Sequence, residues 1–225
     1  MKKTANRFVE QAKAWMGVKE GSKTHLEILD IYNAHRPLAH GYEMQPNDAW
    51  CACFVSAVSI QCGYTDIVPT DIRCSSFIDK FKKLGVWIEN ENYQPKVGDI
   101  VFYDWEDNGK GDNRGTPNHV GIVSHVETNS FTAVEGNLHN RVATRTMDIN
   151  AKFLRGFASP KYDADVPDPE PVSTYYKYKI KKGDTLSRIA RNAGLSVSEL
   201  LKINPSIDNP NRIYAGDEIR IPAKE

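Results

Sequence analysis

Between Pro160 and Ser173 the chain reads PKYDADVPDPEPVS, four prolines and four acidic residues in fourteen positions. Proline fixes φ and removes a backbone donor, and the acids repel one another, so this stretch cannot form a core and is expected to stay extended. It divides the 225 residues into a body, 1–159, a linker, 160–173, and a tail, 174–225. Charge changes at the same place: the body carries 18 basic and 19 acidic residues, the tail 10 and 6. The tail therefore suits a mildly anionic surface, although a solvated lysine face accounts for the same composition. Over the whole chain 29 basic residues balance 29 acidic ones, which argues against a nucleic-acid binder working by counterion release. No apolar run approaches the ~18 residues of a membrane span, and the segment from Met1 to Trp15 lacks the apolar centre of a secretory signal. The expectation is a monomer made in the cytoplasm without a leader, with neither membrane nor nucleic acid as partner.

The body changes period partway along. Phe8, Ala12 and Trp15 recur at helical spacing ahead of Gly17, and Thr24 with Glu27 reads as a capping box before Leu26, Leu29 and Tyr32. Two further helices are expected over Ala49–Gln61 and Ser76–Leu84, stopped by Gly63 and Gly85. From 95 to 159 the pattern turns to short β-prone runs, at Asp99–Trp105, His119–Glu127, Ser130–Glu135, Arg141–Met147 and Leu154–Ala158. Helices followed by an antiparallel sheet make an α+β body. In the tail, strands at Tyr178–Ile180 and Glu218–Ile221 bracket helical patterns at Thr185–Asn192 and Val197–Ile203, the second with a capping box in Ser196 and Glu199.

All four cysteines, Cys51, Cys53, Cys62 and Cys74, fall within 24 residues. No Cys-x-x-Cys pair occurs among them, so neither a disulfide framework nor structural zinc is expected. Cys51 stands just inside the start of an apolar helix, where unpaired N–H groups and the helix dipole favour a thiolate. Cys53 lies about 200° round that helix and reads as a small buried hydrophobe, as do Cys62 and Cys74. A base for Cys51 is found in His119, at the head of a strand directly after the Gly- and Asn-rich loop 107–118. His125, on the same strand, lies ~20 Å farther along, and His25, His35, His40 and His139 have no motif context. The next strand supplies Glu135 as a carboxylate able to hold the imidazole, and Asn137, of the same parity, as a second polar group.

Trp50-Cys-Ala-Cys-Phe-Val-Ser56, Pro95-Lys-Val-Gly-Asp-Ile-Val-Phe102, Asn118-His-Val-Gly-Ile-Val123 and Val134-Glu-Gly-Asn137, in that order, resemble the CHAP domain, the cysteine- and histidine-dependent amidohydrolase/peptidase family. The resemblance covers about 5–160. It implies a papain-like fold with Cys51 as nucleophile, His119 as base, Glu135 as orienting group and Asn137 as a polar member of the site. Some members bind calcium through acids ahead of the nucleophile, but here Gly41 to Asp48 offers few carboxylates. Asp104, Glu106 and Asn108 precede Gly109 in the manner of a calcium loop, yet Gly115 stands where a bidentate Glu belongs, so no metal and no cofactor are expected.

The tail, from Tyr178-Lys-Ile-Lys-Lys-Gly-Asp-Thr-Leu186 to Gly216-Asp-Glu-Ile-Arg-Ile-Pro222, is similar to a LysM module over nearly its whole length. That implies a βααβ unit binding glycan with N-acetylglucosamine, through Gly183, Asp184, Thr185 and Leu186 on one loop and Asn209 and Ile213 on another. The combined expectation is a phage endolysin-like peptidoglycan hydrolase, an amidase or endopeptidase acting on bacterial peptidoglycan after release. Its rivals are a catalytically silent wall-binding protein and a general thiol protease.

Overall fold

The computed structural model describes residues 2–107, 114–164, 175–204, 207, 209 and 213–222. The chain falls into two compact units, Met1–Asp165 and Val166–Glu225. The first begins with helices α1 (Ala5–Lys13), α2 (Lys23–Ala34), α3 (Cys51–Cys62) and α4 (Cys74–Lys83). Strands β1 (Trp87–Ile88), β2 (Ile100–Tyr103), β3 (His119–Val126), β4 (Ser130–Glu135), β5 (Ala143–Asp148) and β6 (Leu154–Ala158) follow and form one antiparallel sheet in the order β1-β6-β2-β3-β4-β5. The helices-then-strands reading holds. Two details differ: α2 starts two residues early because Ser22, not Thr24, accepts the His25 N–H, and β1 is a two-residue edge too short for a periodicity to mark.

Ten of the twelve residues of α3 are buried, which makes it the axis of the unit. Its two buried serines are satisfied outside the helix, Ser56 Oγ donating to Asp71 O at 2.6 Å and Ser59 Oγ to Val68 O at 2.5 Å. The helix ends at Gly63, whose φ of 70° a side chain would resist. Alternation along the strands separates two cores. Ile100, Phe102, Val120, Ile122 and Val134 join the helices in one cluster, while Val101, Tyr103, Val123, Phe131 and Ala133 form the other with Leu154 and Phe157.

The first residues of the expected linker are packed. The Tyr162 ring lies 6.0 Å from Phe8 and 6.3 Å from Tyr64, its hydroxyl donates to Gly98 O at 2.8 Å, and Asp163 N donates to Lys3 O at 2.8 Å. An aromatic ring among the acids gives this end of the segment something to bury, which the composition of the whole stretch conceals.

The second unit pairs β7 (Tyr175–Lys179) with β8 (Glu218–Pro222) and carries α5 (Leu186–Ala193) and α6 (Val197–Ile203). Ile180, Leu186, Ile189, Leu200, Ile219 and Ile221 are its core. Thr185 caps α5 by accepting the Arg188 N–H, and Gly194 closes it at φ 76°. The expected capping box at α6 falls on Glu199, whose side chain lies outside the described residues.

Candidate active site

Cys51 is the first residue of α3, and Trp50 ahead of it gives the helix no side-chain cap. The first-turn N–H groups are therefore left for the sulfur, and the Ala52 N–H bonds to it. Trp50 is itself fixed, its Nε1–H donating to Glu20 at 3.0 Å and its ring 4.6 Å from that of buried His25. These contacts set where α3 begins, and so where the thiol sits.

His119 opens β3, opposite Tyr103 of β2. Its Nε2 is 2.9 Å from Glu135 Oε2, which leaves Nδ1 as the ring nitrogen for its hydrogen bond with Cys51. Glu135 ends β4 with no exposure, and Arg145 Nε donates to both of its oxygens, at 3.0 and 3.1 Å. The Arg145 guanidinium lies 4.5 Å from the Trp105 ring centroid, and Trp105 stacks on Tyr103 at 4.9 Å. Tyr103 in turn stacks on the His119 ring at 5.8 Å. The imidazole is thus held by an ion pair on one edge and an aromatic wall on its face.

The electrostatics follow from that geometry. A hydrogen bond from Cys74 draws the Cys51 thiol well below its ordinary range, against the opposing effect of burial, and the bond to His119 adds to it. Burial disfavours the charged His119 ring, but its bonds to Cys51 and Glu135 outweigh that and raise it to about 9. The two shifts run in the directions that favour a thiolate beside an imidazolium. Cys53 has no exposure, and burial pushes its thiol up. His125 is well exposed and pairs loosely with Glu127 at 3.6 Å.

Cys51, His119 and Glu135 are brought together as the sequence suggests. Asn137 lies past Glu135 in a left-handed turn, at φ 57°. Among the described residues it has no hydrogen bond to the other three, so the bonded chain runs on to Arg145 instead. Sequence reasoning missed Arg145 and gave Cys74 no role. The signal for Arg145 is register: Glu135 opposes Ala143, which places Arg145 on the diagonal two positions along, and that pairing is invisible before the β4–β5 hairpin is known. Asp104 spends its carboxylate on the backbone, accepting from Glu106 N at 3.1 Å and Thr116 N at 2.9 Å, and no cluster of metal-ligating side chains occurs among the described residues. Asn108 and Gly109 lie outside them.

In the second unit, Asp184 accepts from Tyr178 Oη at 2.8 Å, Lys181 N at 2.9 Å and Arg188 at 2.8 Å. Leu186 faces the core and Thr185 caps α5, so of the loop 183–186 the backbone and the Thr185 hydroxyl are what a ligand would meet. Ile213 packs partly against the same core, and Asn209 is exposed.

Comparison with known proteins finds two family matches along the chain. Residues 42–137 match the CHAP domain and residues 178–222 the LysM domain. Among curated proteins, an endolysin of Bacillus phage B103 is 53% identical over 51 residues, 23% of this chain and 19% of that protein. An endolysin of Bacillus phage PZA is 31% identical over 121 residues, 48% of this chain and 45% of that protein. The matches thus span less than half of either relative. A solved structure titled the crystal structure of Ly7917 covers 79% of this chain and 66% of its own at 14% identity and a TM-score of 0.36. A MoCVNH3 variant (Mo0v) in complex with (N-GlcNAc)4 covers 44% and 58% at 17% identity and 0.21. Likenesses that weak bear no argument about the fold. The two domain matches do: this chain carries a CHAP domain followed by a LysM domain.

Proposed function

We propose that the protein is a peptidoglycan hydrolase that cleaves an amide bond in or next to the wall peptide through Cys51, with the LysM unit holding it on the glycan. The observation that carries the reading is the hydrogen-bonded chain Cys51, His119, Glu135, with the sulfur at an uncapped helix start. The Cys51 thiolate attacks the carbonyl carbon. The resulting oxyanion is met by first-turn N–H groups of α3, for which the Cys51 N–H is the candidate. The imidazolium of His119 protonates the leaving amine as the C–N bond breaks, giving a thioester. Neutral His119 then takes a proton from water, which attacks the thioester and frees the thiolate. Glu135 keeps the ring in place and is itself held by Arg145.

The LysM match and the names of the phage relatives support the wall as substrate. Purified walls treated with the wild-type chain should clear and release peptides with new amino termini, whereas Cys51→Ala should release none. Mass spectrometry of the fragments reads which amide is cut, and lysis by Cys51→Ala would overturn the proposal.

A further inference from the structure

The four cysteines are not equivalent, and the mechanism uses only one. Burial raises the thiols of Cys53 and Cys62, and Cys51 bonds to neither of them. Cys74 is the first residue of α4, as Cys51 is the first residue of α3, and the two side chains are hydrogen-bonded to each other. Both are free thiols, with 7% and 9% of their surface exposed. The two helix starts thus bring two thiols within hydrogen-bonding reach, one of them the nucleophile of the proposed reaction. A low-pKa cysteine beside a second thiol is the arrangement in which sulfenic acid is captured as a disulfide before it oxidises further.

We propose that Cys51 and Cys74 form a reversible redox pair in which a hydroperoxide oxidises Cys51 and Cys74 closes a disulfide upon it, switching the nucleophile off. The inference rests on the reading of Cys51 as nucleophile. In the first step the Cys51 thiolate attacks the O–O bond of the peroxide, forming S–O and expelling an alkoxide or hydroxide that takes the His119 proton. In the second step the Cys74 sulfur attacks Cys51, forming S–S and breaking S–O, and the departing hydroxide leaves as water with the Cys74 proton. The two thiols lose two electrons and the peroxide gains them. The hydrogen bond to Cys51, burial and then the charge on Cys51 hold the Cys74 thiol protonated in the reduced site, and sulfenic acid formation removes that charge. Oxidation of Cys51 thereby removes one of the effects that hold Cys74 as the thiol. The second thiol also shields Cys51 from the irreversible sulfinic state.

The test uses the full chain treated with a few equivalents of hydrogen peroxide, alkylated without reduction and digested with trypsin. Residues 74–80 should be recovered cross-linked to the peptide containing Cys51, with fragmentation placing the bond on Cys51, and free thiols should fall from four to two. Wall lysis should drop about tenfold or more and return to within about twofold of its start after dithiothreitol. Cys74→Ala, measured against its own starting activity, should form no cross-link, gain sulfinic acid at Cys51 and fail to recover. A cross-link from Cys74 to Cys53 or Cys62, four thiols remaining after peroxide, or recovery of Cys74→Ala equal to wild type would each overturn the proposal. If that variant does not fold, the wild-type cross-link decides alone. The mapping needs no activity, so lysis by Cys51→Ala would sink the hydrolase reading while leaving the disulfide result standing.

Discussion

Arg145 donates from one nitrogen to both oxygens of Glu135, a carboxylate with no exposure to solvent. His119 Nε2 bonds to the same carboxylate at 2.9 Å, so Arg145 and the imidazole fix Glu135 between them. Arg145→Met should lower lysis by about tenfold and stability by about 1.5–3 kcal/mol, the range for a hydrogen bond to a charged group. Arg145→Lys should restore charge but not the fork or the stacking on Trp105, and so recover only part. Rates and thermal melts on both variants check this, and full activity in Arg145→Met would show that the pairing is incidental.

Cys51→Ala should abolish lysis, whereas Cys53→Ala should keep most of it. The second change removes a buried sulfur from the core and should cost stability by about 1 kcal/mol without touching the reacting atoms. Iodoacetamide should label Cys51 before the other three thiols, since it alone is shifted toward thiolate. Peptide mapping over time reads the order.

The pH profile follows from the ion pair. As pH rises through about 9, His119 loses the proton it must give to the leaving amine, so the rate should fall on that side. On the acid side, protonation of Cys51 removes the nucleophile, and because the thiol is held low, activity should persist well below the ordinary thiol range. His119→Ala should be almost as damaging as Cys51→Ala, Glu135→Gln less so, and His125→Ala close to neutral. Equal losses at the two histidines would show that the wrong one has been assigned.

Two glycines carry the site's shape. A methyl group on Gly121 would sit 2.7 Å from Glu135 Cγ and 3.3 Å from Ala133 Cβ, so Gly121→Ala should displace the carboxylate and cut lysis by about tenfold or more. One on Gly136 would lie 2.4 and 2.6 Å from Phe54 Cβ and Cγ. Gly136→Ala should therefore act on stability, by about 1–3 kcal/mol, through overpacking against α3. Melting curves beside rates on soluble muropeptides separate the two effects.

Truncation tests both the boundary and the tail. A fragment ending at Ser159 loses Tyr162 from its place beside Phe8 and Tyr64 and should melt lower than one ending at Asp165. The longer fragment should keep its turnover on soluble muropeptides yet lose activity on whole walls. Tethering raises local substrate concentration only where the substrate is an immobile polymer. Equal losses on both substrates would mean instead that the tail completes the active site.

Most of the architecture is readable in the residues because each element announces itself locally. Gly63 and Gly85 stop their helices, and the short runs from Ile100 to Ala158 are spaced by turn residues. Cys51, His119 and Glu135 were legible because a helix start, a strand head and a strand parity fix each of them. Arg145 and Cys74 were not, since each acquires its role only through a neighbour distant in sequence. Tyr162 hid for a related reason: four prolines and four acids outvote one aromatic ring in any reading by composition.

The sheet order also bears on how the protein is made. β6 is the last strand of its unit to be synthesised, yet it lies between β1 and β2. Until the chain past Ala158 has emerged from the ribosome, β2 presents an open row of backbone groups beside an unfinished core. Cys51 and its helix, by contrast, are translated about a hundred residues earlier. A nascent chain therefore carries Cys51 for nearly half of its synthesis before the sheet that positions His119 can close, and a stalled or truncated product would display the cysteine without the groups bonded to it.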